Sequence, residues 1–193
     1  MKRNLKYLSL LLAALLLAAL LLAGCNKDDN EPDFTKNITA RFDRKFALRL
    51  EETGYISNAE KIMQAEVKDI TKLDVSGTYV NPGNLTSLSG IEYFEALDTL
   101  YCNSNQLTSL DVSKNRALIF LSCIDNQLTS LDISNNIALK GLRCYYNPGN
   151  GEAFPVTAWF DNSNIPAEED YLFTVSHWVH NGKTIGVEYV KVD

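Results

Sequence analysis

The amino-acid sequence predicts an α/β solenoid: about three and a half stacked coils with a helical cap before them and a β-hairpin cap after them. Three observations predict it. Side chains recur every 21 residues, each repeat contains a strand-like alternation, and these patterns stop at both ends. The predicted segments are a signal peptide (1–24), a polar tether (25–33), a helical N-terminal cap (34–69), the coils (70–150) and a β-rich C-terminal cap (151–193).

The repeat is visible as columns of identical residues 21 positions apart. Two leucine columns, one cysteine column and one asparagine column each have three members. They are Leu97, Leu118 and Leu139; Leu100, Leu121 and Leu142; Cys102, Cys123 and Cys144; and Asn105, Asn126 and Asn147. So many coincident columns indicate one structural unit per repeat.

Each complete unit reads Leu-x-x-Leu-x-Cys-x-x-Asn-Gln-Leu-Thr-Ser-Leu-Asp-(Val/Ile)-Ser-x-Asn, a leucine-rich-repeat signature with cysteine in the third leucine position. Leu100 and Cys102 alternate with Tyr101, as expected on a short strand. We expect the asparagine column to form a ladder between coils, because an amide both donates and accepts hydrogen bonds. The second half of the unit should return the chain as a short extended segment or turn.

The cysteine column has a structural and a functional interpretation. As functional groups, Cys102, Cys123 and Cys144 would bind a metal or form a disulfide. However, zinc sites usually contain closely spaced pairs, and thiols on neighbouring parallel strands point side by side, which disfavours a disulfide. The column is therefore predicted to be buried core, and no metal or other cofactor is expected.

An irregular first coil precedes the regular ones. Its matching residues are Ile70, Leu73 and Val75 in the strand half, and Leu85, Leu88 and Leu97 in the return half. Thr78–Asn84 is predicted to be a loop inserted between these halves. Before this coil, the apolar spacing predicts a helix within Phe34–Glu52, interrupted near Thr39 and ended by Gly54. Ser57-Asn58-Ala59-Glu60 has the pattern of a capping box, which predicts a second helix from Ser57 to about Ala65.

The repeat stops after Asn150, and the remaining sequence has strand character. A strand is predicted over Phe154–Phe160. A hairpin is predicted from Phe173–Val179 and Thr184–Val192, because Asn181-Gly182 is typical of a type I′ turn. One apolar face of this hairpin would cover the last coil.

The first 25 residues have the three parts of a bacterial lipoprotein signal. Lys2, Arg3 and Lys6 precede an almost entirely apolar run, Leu8–Ala23, which is short for a membrane span. The following Leu-Ala-Gly-Cys resembles a lipobox, which implies a lipid on Cys25 and attachment to a membrane.

From about Phe34 to its end, the chain resembles Bacteroidetes surface lipoproteins with 21-residue leucine-rich repeats in an internalin-like arrangement. The acidic stretch behind Cys25 resembles their export signal, which implies an outer-membrane location with exposure at the cell surface. Some relatives have a calcium loop before the second helix. Here Glu51–Ser57 lacks the alternating oxygen ligands of such a loop, so calcium is not expected.

Composition and charge exclude several kinds of partner and site. The formal charge is −6, and because three cations and no acid precede Cys25, the remainder carries −9. A surface this acidic disfavours nucleic acid. Both histidines, His177 and His180, have an odd spacing on a predicted strand, so their side chains should face opposite ways and not share a metal.

The outward side chains of the strands differ from coil to coil, whereas the framework columns are nearly constant. We expect these outward residues to form a ligand-binding face on the concave side of the solenoid. Its candidates are Tyr101, Phe120, Ser122, Ile124, Arg143, Tyr145 and Tyr146. Aromatic residues and arginine are typical of the energetic centres of protein interfaces.

The resulting hypothesis is a non-enzymatic, lipid-anchored and monomeric protein that binds a protein or glycan through this face. One alternative is an accessory subunit of an outer-membrane complex, with the same anchor. Another is a hydrolase with an unrecognised site, although no nucleophile, metal or paired-carboxylate motif stands out in the sequence.

Overall fold

A computed structural model describes residues 35–166, 172–173 and 177–192. The predicted signal peptide, the predicted lipidation site Cys25 and the predicted polar tether lie outside the described residues. Within the described ranges, no helix has both the length and the apolarity of a membrane span.

A five-stranded parallel sheet forms one side of an α/β leucine-rich-repeat solenoid. Its strands, in spatial order, are β1 (Lys72–Asp74), β2 (Thr99–Tyr101), β3 (Phe120–Ser122), β5 (Gly141–Arg143) and β7 (Leu172–Phe173). The register aligns Leu73, Leu100, Leu121 and Leu142 across four strands. The period of 21 residues therefore corresponds to one coil, and equivalent leucines stack in one column.

The return side carries a second sheet, which begins inside the repeats and ends in the C-terminal cap. Its strands are β4 (Leu131–Asp132), β6 (Phe154–Ala158), β8 (His177–His180) and β9 (Lys183–Lys191), in the order β4-β6-β9-β8. The β4, β6 and β9 pairs are parallel, and β8 and β9 form an antiparallel hairpin. The C-terminal region thus extends both sides of the solenoid.

The predicted hairpin differs from the observed one at its first strand. The turn is at Asn181-Gly182, and both residues have positive φ, 49° and 77°, as a type I′ turn requires. However, the first strand begins at His177, and Phe173 lies in β7, which pairs with β5 in the other sheet. The apolar pattern alone did not distinguish these two strands.

The core consists of the repeat columns. The Leu97, Leu100 and Cys102 columns are fully buried in all three coils, as are Leu107, Leu128, Val112 and Ile133 on the return side. In the first coil, Leu73, Val75, Leu85 and Leu88 occupy the equivalent buried positions. Burying such side chains stabilises the fold by about 1.5–3 kcal/mol each.

The inserted loop of the first coil is held close to the second coil. The backbone nitrogen atoms of Gly77 and Gly83 donate to the carbonyl groups of Asn103 and Ser104, at 2.9 and 2.7 Å. A Cβ atom on Gly77 would lie 2.1 Å from the Gly83 nitrogen, so this neck requires glycine. At its tip, Tyr79 and Val80 are 91% and 90% exposed.

The N-terminal cap contains less helix than the sequence predicts. The first helix, α1 (Arg44–Glu52), begins only after Asp43, whose side chain accepts hydrogen bonds from the backbone nitrogen atoms of Lys45 and Phe46. Thr39–Arg41 is a single 3-10 turn. An N-cap of this kind fixes where a helix starts, and it explains why the predicted helix is shortened.

The second predicted helix is displaced along the chain. It is α2 (Gln64–Val67), because the Ser57 hydroxyl donates to Glu66 at 2.7 Å rather than capping a helix at Glu60. The Asn58 side chain instead accepts the backbone N–H of Glu60 at 2.7 Å in a local turn. The predicted capping box therefore does not form.

Both caps close the solenoid with aromatic side chains. At the first coil, the Phe46 ring packs against Phe94 with centroids 6.2 Å apart, and the Tyr55 hydroxyl accepts a hydrogen bond from the backbone of Asp74 in edge strand β1. At the last coil, the Trp178 indole donates to the Asn147 carbonyl at 2.8 Å. Exposed backbone groups at each end thus acquire partners.

Candidate binding face

The outward side chains of β1, β2, β3 and β5 form one continuous surface, here called the sheet face. On each strand they flank a buried leucine, as strand alternation requires. On β1 and β2 both flanking side chains are exposed or half-buried, whereas on β3 one of the two is buried and on β5 one flanking residue is a glycine, Gly141. The sheet face therefore differs from coil to coil on a constant framework.

Four side chains cross the sheet face in contact with one another, and we call them the cation–aromatic row. The Lys72 Nζ atom lies 5.4 Å from the Tyr101 ring centroid. The Tyr101 and Phe120 centroids are 5.5 Å apart, and the Arg143 guanidinium carbon lies 5.6 Å from the Phe120 centroid. Each residue belongs to a different strand, so the row spans four coils. Sequence reasoning identified three of its members and missed Lys72.

The other predicted face residues are placed unevenly. Ile124 and Tyr145 are half-buried, and Tyr146, 55% exposed, contacts Tyr145 edge-on with ring centroids 5.0 Å apart. Ser122 is only 1% exposed, so its assignment to the binding face is wrong. Its hydroxyl donates to the Asn103 side chain at 2.6 Å, because Asn103 from the neighbouring coil folds over it. Ser122 therefore lies beneath the sheet face and holds the Asn103 side chain in place.

The asparagine column forms a ladder of buried side chains between successive coils. The Asn126 amide nitrogen donates to the carbonyl groups of Cys102, Cys123 and Ile124 at 3.0–3.2 Å. Its oxygen accepts the backbone N–H of Leu107 at 3.0 Å. Asn105 and Asn147 repeat this pattern one coil before and one coil after. The ladder fixes the bend that ends each strand.

A second asparagine ladder, which the sequence analysis did not assign, lies on the return side. Asn115 donates to the carbonyl groups of Ile91 and Phe94, and Asn136 donates to those of Val112 and Asn115, at 2.8–3.1 Å. Both side chains are fully buried. The second ladder could have been predicted from the final asparagine of the repeat motif, because both complete units of this chain carry it.

The surroundings of the cysteine column disfavour reaction at its thiol groups. Cys102, Cys123 and Cys144 are buried, and no disulfide joins them within the described ranges. Burial and the negative charge of Asp74 raise the pKa of Cys102 to about 12, and burial raises the pKa of Cys123 well above its usual value. The thiols of Cys102 and Cys123 therefore stay protonated at neutral pH, whereas nucleophilic or metal-binding cysteines need a thiolate.

An open groove of about 370 Å³ lies on the return side between the first two coils. Its polar groups take part in the local turns: the Ser87 and Ser89 hydroxyls are 3.0 Å apart, and the Asp111 side chain accepts the backbone N–H of Ser113 at 2.9 Å. In the part of the chain that the structure describes, no three His, Cys, Asp or Glu side chains are grouped to hold a metal ion.

Comparisons with known proteins support the fold. No protein-family profile matches the chain, and no curated protein sequence matches it either. The functional domain of InlJ from Listeria monocytogenes, which is described as including a cysteine ladder, is similar in structure: TM-score 0.51 and 28% identity over 63% of this chain and 25% of that one. An internalin, InlF from L. monocytogenes strain 4b F2365, has a TM-score of 0.50 and 21% identity over 64% and 45%.

The chain therefore spans about a quarter of one of these structures and less than half of the other. The similarity covers about two thirds of this chain. This chain also contains a stacked cysteine column. Its fold is thus an internalin-like leucine-rich-repeat solenoid.

Proposed function

We propose that the protein is a non-enzymatic binding module that holds a protein or glycan partner against its sheet face. The cation–aromatic row is the observation that carries this proposal. It lies where the repeats of this chain differ most, while the residues beneath it are nearly constant. The internalin-like fold supports the same class, because solenoids expose extended faces to partners.

The row has the residue types that are common at the centre of a protein interface, and its side chains already contact one another before a partner binds. Arginine and aromatic side chains contribute most of the binding energy in many interfaces. Here the two cations already lie over the rings, contacts worth about 0.5–1 kcal/mol each at exposed sites. Side chains that are ordered before binding lose less conformational entropy when a partner arrives.

The proposal is tested by probing the full chain, in non-ionic detergent, against an array of extracellular proteins and glycans. We expect at least one partner whose affinity falls by about tenfold or more in Phe120→Ala. Ile137→Ala is the matched control, because it removes an apolar side chain that is 72% exposed outside the sheet face. Equal binding by both variants, or no partner on the array, would contradict the proposal.

We further propose that a lipid on Cys25 anchors the protein in the outer membrane, with the described residues exposed at the cell surface. The Leu-Ala-Gly-Cys tetrad and the acidic stretch behind it support this location. In membrane fractionation, Cys25→Ser should move the protein from the membrane to the soluble fraction. Retention of the variant on membranes, or protection of the wild type from protease added to intact cells, would disprove the location.

A further inference from the structure

The two cations of the row have no acidic partner in the described part of the chain. The ion pairs there involve other residues, namely Arg44 with Glu60, Arg49 with Glu52, and Lys68 with Asp69. Lys72 and Arg143 lie instead over the rings of Tyr101 and Phe120. Both cations lie exposed on one face of a protein whose residues from Cys25 onward carry a net −9.

The acidic side chains at the margins of the row are engaged with their own backbone or neighbours. The Asp74 carboxylate accepts the backbone N–H of Ser76 at 3.1 Å. The Asp98 carboxylate accepts the Thr99 hydroxyl at 2.6 Å. Neither forms an ion pair with Lys72 or Arg143 within the residues described. Lys72 and Arg143 are therefore available to an anionic ligand.

The geometry also defines how far apart the anionic groups of a ligand should be. Lys72 and Arg143 are separated by three strand spacings and by two residues along the strands. With about 4.8 Å per spacing and about 3.3 Å per residue, their Cα atoms are about 16 Å apart. The three contacts that join the Lys72 Nζ atom to the Arg143 guanidinium measure 5.4, 5.5 and 5.6 Å, so these charged groups are also no more than about 16 Å apart. An extended peptide covers that distance in about five residues.

The order of the row favours a peptide over a sugar chain. Lys72 and Phe120 lie on the strands either side of Tyr101, and Tyr101 and Arg143 lie on the strands either side of Phe120. The row therefore places two rings between two cations. A peptide can match this order with apolar side chains between two carboxylates, whereas a sugar chain carries no apolar side chains.

We infer that the sheet face binds an extended acidic protein segment with two carboxylates about five residues apart, one on Lys72 and one on Arg143. This inference rests on the proposed binding function of the face and specifies its partner. The planar guanidinium of Arg143 suits bidentate contact with a carboxylate, and Lys72 supplies a point charge.

The test measures binding of a fluorescent peptide to the full chain in non-ionic detergent by anisotropy. The peptide carries two glutamates five residues apart, separated by alternating threonine and valine, and its control carries glutamines instead. At low salt we expect the glutamate peptide to bind about tenfold more tightly, and this advantage to shrink in high salt.

Two pairs of variants locate the effect. Lys72→Gln and Arg143→Gln should each reduce the affinity for the glutamate peptide about threefold, and together about tenfold. Lys114→Gln and Arg116→Gln make the same charge change at exposed positions on the return side, and they should leave the affinity within about 1.5-fold.

Three results would overturn the inference: no glutamate-peptide binding up to about 1 mM, equal affinities for the two peptides, or equal losses in the control variants. Row-dependent binding of a uronate oligosaccharide in place of the peptide would also overturn it. If an array partner is lost in Phe120→Ala but retained in Lys72→Gln and Arg143→Gln, the proposed function stands and only the acidic segment is disproved.

Discussion

The first coil and the two complete coils after it have the same leucine column but differ at the ladder positions. The complete coils carry Asn105 and Asn126 at the end of the strand, and Asn115 and Asn136 on the return side. In the first coil, the inserted loop takes the place of the asparagine that ends the strand. On the return side, Phe94 occupies the position equivalent to Asn115, 21 residues earlier. Both types of coil nevertheless bury the leucine of the strand completely.

The direction of the hydrogen bonds explains this difference. Each ladder asparagine donates to carbonyl groups of the preceding coil: Asn105 to Val75, Asn126 to Cys102, and Asn136 to Val112. The first coil has no preceding coil, and it faces the aromatic side chains of the N-terminal cap instead. The ladders therefore link each coil to the one before it, in addition to fixing the bend within their own coil.

The largest effect should come from removing a ladder asparagine between two coils. Asn126→Ala leaves the backbone N–H of Leu107 without its partner and removes one donor from each of three carbonyl groups, which keep a second donor. Because an unpaired buried group costs about 1–3 kcal/mol and each lost hydrogen bond about 0.5–1.5 kcal/mol, we expect the free energy of unfolding to fall by about 4 kcal/mol. Urea denaturation measures it. Thr129→Ala, an exposed control, should change it by less than about 0.5 kcal/mol, and a similar loss in both variants would refute the ladder's role.

The leucine column tests what the two types of coil share. Leu121 is fully buried between Leu100 and Leu142. Leu121→Ala should therefore reduce the free energy of unfolding by about 2–5 kcal/mol, centred near 3. Ile119→Ala removes a neighbouring side chain that is 46% exposed, and it should cost far less in the same denaturation experiment. An unchanged melting temperature in Leu121→Ala would contradict the stacking of the repeats.

The second ladder should contribute less than the first. Asn136 donates to only two carbonyl groups, and its side-chain oxygen has no hydrogen-bond partner in the described structure. Both carbonyl groups keep a backbone donor, the N–H of Asn115 or of Leu118, so Asn136→Ala loses two hydrogen bonds and leaves no group newly unpaired. We therefore expect Asn136→Ala to cost about 2 kcal/mol. Exposed Asn135, its neighbour in sequence, is the matched control. A larger loss for Asn136→Ala than for Asn126→Ala would reverse the proposed order of the ladders.

The framework was predictable because repetition within one chain identifies equivalent positions. The columns of Leu100 and Cys102 and the loop Thr78–Asn84 follow from alignment of the repeats alone, and the structure buries the columns and exposes the tip of the loop. The caps occur once, so no internal comparison was possible there. The actual start of α1 depends on the Asp43 side chain, and an apolar pattern does not report it.

The sheet face was only partly predictable, because exposure depends on neighbouring coils. Strand alternation placed Ser122 outward, yet Asn103 from the adjacent coil covers it. Lys72 was overlooked because the first coil is irregular, and its contact with Tyr101 depends on the register between β1 and β2. Contacts between coils are tertiary contacts, and the residue pattern of a single coil does not predict them.

The smallest effect is expected in the cysteine column, where the first coil has Val75 in place of cysteine. Since the thiol of Cys123 is buried and stays protonated, Cys123→Val should change the free energy of unfolding by less than about 1.5 kcal/mol. Cys123→Ser is the matched comparison. Placing a hydroxyl in this apolar column should cost about 2 kcal/mol, measured by the same urea denaturation. If valine were the more damaging substitution, the sulfur would have a role beyond packing, and the column would no longer be equivalent to Val75.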